Sequence, residues 1–236
     1  MEKLIKAVIN DFKLIFRDNS LKVFLALPLI TLPVIRYGIP YVLGQYEVLN
    51  DYIAIILMLA TMQGSVAFGF IYSMVLIDEK DTGVNTVYGV LPVSKFWFTV
   101  FRLIPPYLLA ASSTFLLLLV EPFYALPVAS VFIYSAIAGL ASPFMIMFVA
   151  NFASNKIEAM TWQKLFNMPL YLPILSFFVP ASISFIFVIL PTYWVYHSLD
   201  LLMKGGGIWF YAIAGFTHNI LVIALMVRRF IRGHFK

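Results

Sequence analysis

The residues with chemistry to offer are concentrated in one short run. Asp78, Glu79, Lys80 and Asp81 follow one another, Thr82-Gly83 comes next, and Leu91-Pro92 precede Lys95. Three carboxylates within four positions can pair with cationic groups on a partner protein, and Gly83 frees the backbone for a turn. A second run, Asn155-Lys156-Ile157-Glu158, offers less of the same. Catalytic chemistry is harder to assemble. His197, His218 and His234 are scattered, no H-E-x-x-H occurs, and there is no cysteine to act as thiol nucleophile or zinc ligand. No G-x-x-x-x-G-K-[ST] is present to cradle nucleotide phosphates. Ser65 with His218 as base would need a nucleophile frame that Gly64-Ser65-Val66-Ala67 lacks. Small residues there more simply allow helices to pack closely. Neither an enzyme nor a metal site is expected.

The elements that must hold these runs are apolar. The 236-residue chain is 62% hydrophobic and 11% charged, with mean hydropathy +0.95. A soluble domain is about 45–50% apolar and about 25% charged. An all-α integral membrane protein follows, as a single domain over 1–236. A crossing helix takes about 20 apolar residues. Six stretches are candidates: about 23–43, 52–77, 96–120, 124–150, 165–180 and 208–228. Arg36 and Arg102 fall within the first and third, where each is expected to snorkel to an interface.

Residues 1–20 read as an amphipathic helix lying in the interface. Leu4, Ile5, Val8, Phe12, Ile15 and Phe16 share a stripe, and Lys3, Lys6, Asp11, Lys13 and Arg17 make its polar side. Charges run throughout this segment, so a cleavable leader is not expected. Pro169, Pro173 and Pro180 punctuate the fifth stretch, and Pro191 follows it. A helix breaking near Pro180 is expected, with an outer re-entrant hairpin over 181–203. Within it, Pro191, Thr192, Tyr193, Trp194 and Tyr196 read as anchors at the outer interface.

With six crossings both termini lie on one side. All of the 16 basic residues except Arg36 and Lys204 fall there. The positive-inside rule assigns that side to the cytoplasm, together with the Asp78–Lys95 break. The net charge of +5 then reflects orientation rather than nucleic-acid binding. No acidic residue sits inside the six stretches. That disfavours an ion-coupled carrier, which usually holds a carboxylate at midplane.

Glu79-Lys80-Asp81-Thr82-Gly83, then Leu91-Pro92-Val93-Ser94-Lys95, then Arg102, resemble the corresponding segments in permease subunits of type-2 ABC exporters. Asn155-Lys156-Ile157-Glu158-Ala159 resembles that family's second cytoplasmic loop, and Leu190-Pro191-Thr192-Tyr193-Trp194 its outer Pro-x-x-Trp. Among that family, the chain resembles the bacterial fluoroquinolone-export permeases. The resemblance implies a transport subunit that binds no cofactor itself, with ATP and Mg on a separate ATP-binding partner. It implies coupling to that partner through Asp78, Glu79, Asp81, Thr82, Gly83, Leu91, Pro92 and Lys95, with a lesser contact through Asn155 and Glu158. It implies a permease dimer in the bacterial inner membrane, its path lined by the second and fifth helices, here Phe68, Tyr72, Met74, Phe177 and Phe178. A hydrophobic or amphipathic cargo suits such side chains. The alternatives are a membrane scaffold without a transport path and an ion-coupled carrier.

Overall fold

The computed structural model describes residues 2–84, 86 and 94–234. The described residues form helices joined by short connections, with no strand among them. In a bilayer a helix satisfies its own backbone groups, and this composition leaves little else possible.

Helix α1 (Glu2–Arg17) is followed directly by α2 (Asn19–Pro33). Asp18 makes the corner by accepting a hydrogen bond from the Ser20 N–H at 2.9 Å. A π-helical turn (Val34–Gly38) after Pro33 joins α2 to α3 (Ile39–Gln45). A 3-10 turn (Glu47–Tyr52) leads into α4 (Ile53–Thr61) and α5 (Gln63–Asp81). Next come α6 (Lys95–Val120), α7 (Val128–Gly139) and α8 (Ala141–Phe152). Helix α9 (Lys156–Tyr171) tightens into a 3-10 turn (Leu172–Phe177). The short α10 (Ala181–Ser184), a 3-10 turn (Phe185–Ile189), α11 (Pro191–Met203) and α12 (Trp209–His234) complete the order.

Five helices are long and apolar enough to cross a membrane: Asn19–Gln45, Glu47–Asp81, Lys95–Val120, Val128–Phe152 and Trp209–Gly233. The expected crossing at 165–180 is not among them. Its helix starts at Lys156 and carries Lys156, Glu158 and Lys164, so half of it is too polar. Pro173 then removes a backbone donor, and winding ends at Phe178, two residues before Pro180.

Two crossings are broken in mid-course by the same device. Thr114 Oγ1 donates to the Thr61 carbonyl at 2.8 Å, beside the α4–α5 break. Ser65 Oγ donates to the Ala138 carbonyl at 2.9 Å, beside the α7–α8 break. A neighbour's hydroxyl inserted at the helix ladder is a recognised cause of kinking. Ser65 is thus a packing residue, and His218 faces the Ile189 carbonyl instead.

Helices α5 and α8 run through the centre. One apolar cluster surrounds Ile71, Val75, Phe98, Ile146, Val227 and Phe230; the other surrounds Leu57, Tyr134, Met145, Tyr196 and Leu199. Helices α6 and α7 approach closely at Gly139. A Cβ there would lie 3.0 Å from the Ala111 amide nitrogen and 3.1 Å from its Cα. Gly139→Val is expected to destabilise the protein by about 1–3 kcal/mol through overpacking. A lower thermal-shift midpoint in detergent checks this.

Candidate functional site

The C-terminus of α5 meets the α8–α9 turn at the end of the bundle where most of the basic residues gather. Arg36, bonded to the Val120 carbonyl, and Lys204, paired with Asp200, mark the opposite end. Lys80 Nζ donates to the Ala150 and Ala153 carbonyls at 2.6 and 2.9 Å, tying α5 to the C-terminus of α8. Asp78 pairs with Lys156 Nζ at 2.5 Å, and Asp81 accepts the Lys156 N–H at 3.1 Å. Asn155 caps α9 by accepting the Glu158 N–H, and Glu158 reaches back to the Ser154 N–H at 2.8 Å. The two polar runs of the sequence therefore form one corner, joined through Lys156. Gly83 ends the α5 corner in the left-handed region, at φ 71°. Asp81, Thr82, Gly83, Ile157 and Glu158 are exposed on it. Ile157 is 80% exposed, unusual for a branched apolar side chain outside the apolar stretches. Lys95 opens α6, while Leu91 and Pro92 lie outside the described residues.

Glu79 departs from its expected place. It is only 3% exposed and points into the bundle. Arg102 grips it with Nη1 to Oε2 and Nη2 to Oε1, both 2.8 Å. The same guanidinium holds Asp11 from Nε at 2.7 Å and Nη2 at 2.5 Å. Three helices, α1, α5 and α6, are thus clamped by one buried cation between two buried carboxylates. Two expectations are corrected. Arg102, 5% exposed, does not snorkel, and Asp11, 2% exposed, does not belong to the polar side of α1. A desolvated guanidinium needs counter-charge close by, and its fork matches carboxylates bidentately. Burial pushes the Asp11 carboxyl above its ordinary range, against the pull of Arg102. Spacing carried the signal: Asp11 is three residues after Val8 and four before Ile15, on the apolar stripe itself.

The expected path residues are not brought together. Phe68 and Tyr72 line an apolar cavity of about 320 Å³ beneath α1 and α2, with Leu25 and Leu109. Met74 faces a different groove, beside α9. Phe177 lies towards the opposite end, stacked on His197 at 4.5 Å, and Phe178 is exposed.

The expected outer anchors turn inward. Thr192 donates to the Leu170 carbonyl at 2.7 Å, as does the buried Tyr196 hydroxyl at 3.2 Å. Trp194 Nε1 donates to the Val188 carbonyl, and Tyr193 is buried against His197. With Pro191 at its start, α11 packs inward as a largely buried helix. Its polar tips find backbone carbonyls where the 3-10 turns leave partners exposed.

His197 shares a 3.0 Å hydrogen bond with Ser176 and is walled by Phe177, Tyr193 and Tyr211. Burial lowers its pKa from 6.5, Asp200 opposes this, and Lys204 adds to it. The unfolded chain thus takes up this proton at a higher pH than the folded one. Stability is full above the unfolded value and falls as pH drops below about 6.5. His197→Phe is expected to flatten that part of a melting-versus-pH profile. Among the described residues no group of three or more His, Cys, Asp or Glu is placed to hold a metal ion.

Several apolar helices long enough to cross a bilayer, with a polar corner at one end, define a multi-pass membrane protein. The chain belongs to the family described as fluoroquinolones export permease protein Rv2686c-like, whose model matches residues 11–227. It is 24% identical over 206 residues to the fluoroquinolones export permease proteins MT2760 and Rv2686c of Mycobacterium tuberculosis (strains CDC 1551 / Oshkosh and ATCC 25618 / H37Rv). Each alignment covers 84% of this chain and 77% of the relative. No solved structure matches the chain.

Proposed function

We propose that this chain is the transmembrane subunit of an ATP-driven ABC-type exporter, moving a hydrophobic or amphipathic, drug-like cargo outward at a permease dimer interface. Export of fluoroquinolones is what the names of its relatives state. The observation that carries the reading is the corner built from the end of α5 and the start of α9, joined through Lys156. It presents Asp81, Thr82, Gly83, Ile157 and Glu158 on one exposed face, a shape suited to docking a soluble protein. The positive-inside rule puts that face in the cytoplasm, where an ATP-binding subunit carrying ATP and Mg is accessible. Energy from a separate subunit also suits a chain whose buried carboxylates are engaged, Asp11 and Glu79 by Arg102 and Glu121 by the Phe123 and Tyr124 N–H groups.

Co-purification with an ATP-binding cassette protein, followed by reconstitution, tests the proposal. The permease is expected to hold the ATPase, raise its turnover and support ATP-dependent drug uptake into inside-out vesicles. A chain that binds no ATPase and raises no ATP turnover sinks the reading. Uptake driven by an ion gradient without ATP would replace it with a carrier.

A further inference from the structure

We propose that the groove between α2, α5 and α9 is a binding site for a glycerophospholipid with an anionic head. A slot of about 420 Å³ is floored by Phe24, Leu27, Val66, Ala67 and Phe70. A polar vestibule of about 400 Å³, walled by Arg17, Asn19 and Asp78, adjoins it. Asp18, Leu21, Met74 and Lys156 line both, so the two spaces are continuous. The shape is that of an amphiphile: a mostly apolar slot opening on a charged mouth.

The mouth lies at headgroup depth, since the first apolar helix starts at Asn19 and the second ends at Asp81. Its charges favour an anion. The Asp18 carboxylate is taken up by the α2 N-terminus, and Asp78 and Lys156 neutralise each other. Arg17 at the mouth and Lys164 on the slot wall have no carboxylate partner among the described residues. A long lysine side chain reaches toward the headgroup level.

A second observation points to an occupant. Gln163, 5% exposed, lines the slot, and its Oε1 has no hydrogen-bond partner; its Nε2 reaches only Met145 Sδ, at 3.4 Å. Asn167 Oδ1, one turn further along α9 in the same slot, is also buried without a partner. Buried carboxamides left unmatched are costly. The hydroxyl and ester groups of a glycerophospholipid supply donors and acceptors between an acyl chain and a phosphate.

The test is native mass spectrometry of the full-length protein from nanodiscs of phosphatidylglycerol, phosphatidylethanolamine and phosphatidylcholine. One phosphatidylglycerol per chain is expected to survive detergent washing, in preference to the other two. Arg17→Gln with Lys164→Gln is expected to weaken its retention about tenfold, and both positions are solvent-facing enough to leave folding intact. Ala67→Trp, which fills the slot, is expected to remove it. Equal retention of all three lipids, or retention unchanged in the charge variant, overturns the proposal. So does wild-type protein that holds no phospholipid but binds a fluoroquinolone in a manner that Ala67→Trp blocks, which would assign the groove to cargo.

Discussion

Replacing Arg102 by Met is expected to destabilise the protein by about 3–5 kcal/mol, the loss typical when one partner of a buried ion cluster is removed. The size follows from what is left behind. Asp11 and Glu79 would face each other, buried, with none of the four hydrogen bonds that Arg102 now supplies. Helix α1 should detach first, because Asp11 is its main polar anchor and only the Ala7 and Ile15 side of it is otherwise buried. Hydrogen exchange across 5–17 would report that detachment before global unfolding. The triple change Asp11→Asn, Glu79→Gln, Arg102→Met removes all three charges together and is expected to recover much of the loss. If Arg102→Met alone melts like the parent, the cluster is not what holds α1. The same geometry changes how Glu79 is tested. Glu79→Ala perturbs the bundle interior, so a loss of activity in that variant does not by itself report docking.

The docking corner is better tested at Ile157. Ile157→Asp is expected to lower ATPase stimulation by about tenfold, the loss of about 1.4 kcal/mol that follows if Ile157 is one of the few anchor residues of the contact. The melting midpoint should hold within the range of ordinary surface substitutions, about 0.5 kcal/mol. The residue is 80% exposed at the first turn of α9, and a new carboxylate there suits a helix N-terminus. Stimulation unchanged, with binding intact, removes this face from the coupling contact. A drop in both stability and stimulation would mean that the α9 cap at Asn155 and Glu158 had been disturbed instead. Circular dichroism and exchange at residues 154–160 separate those outcomes.

Much of the architecture could be read without coordinates. Continuous apolar runs fix helix type and membrane location, because no other secondary structure satisfies its backbone in lipid. The five qualifying helices fall where such runs lie. Family membership was also legible in the order of short motifs, Glu79 to Gly83 through Trp194. The readings that needed correction share a cause. Arg102 lies near a bilayer edge by sequence position and Asp11 among the charges of α1, yet the neighbours each meets in the fold decide its place.

The sequence by itself determined that this is a helical, multi-pass membrane protein with a polar break after Ile77. Composition and run length are local quantities, and lipid responds to them directly. Only the tertiary structure decided which charges face outward. Asp78 and Asp81 meet Lys156 on the exposed corner, while Glu79, between them in the chain, turns 100° away around the helix toward Arg102 and Asp11. That choice depends on a partner 23 residues along and another on α1, 91 residues from Arg102. Such long-range pairing is set by how helices stack, and no window of sequence contains it.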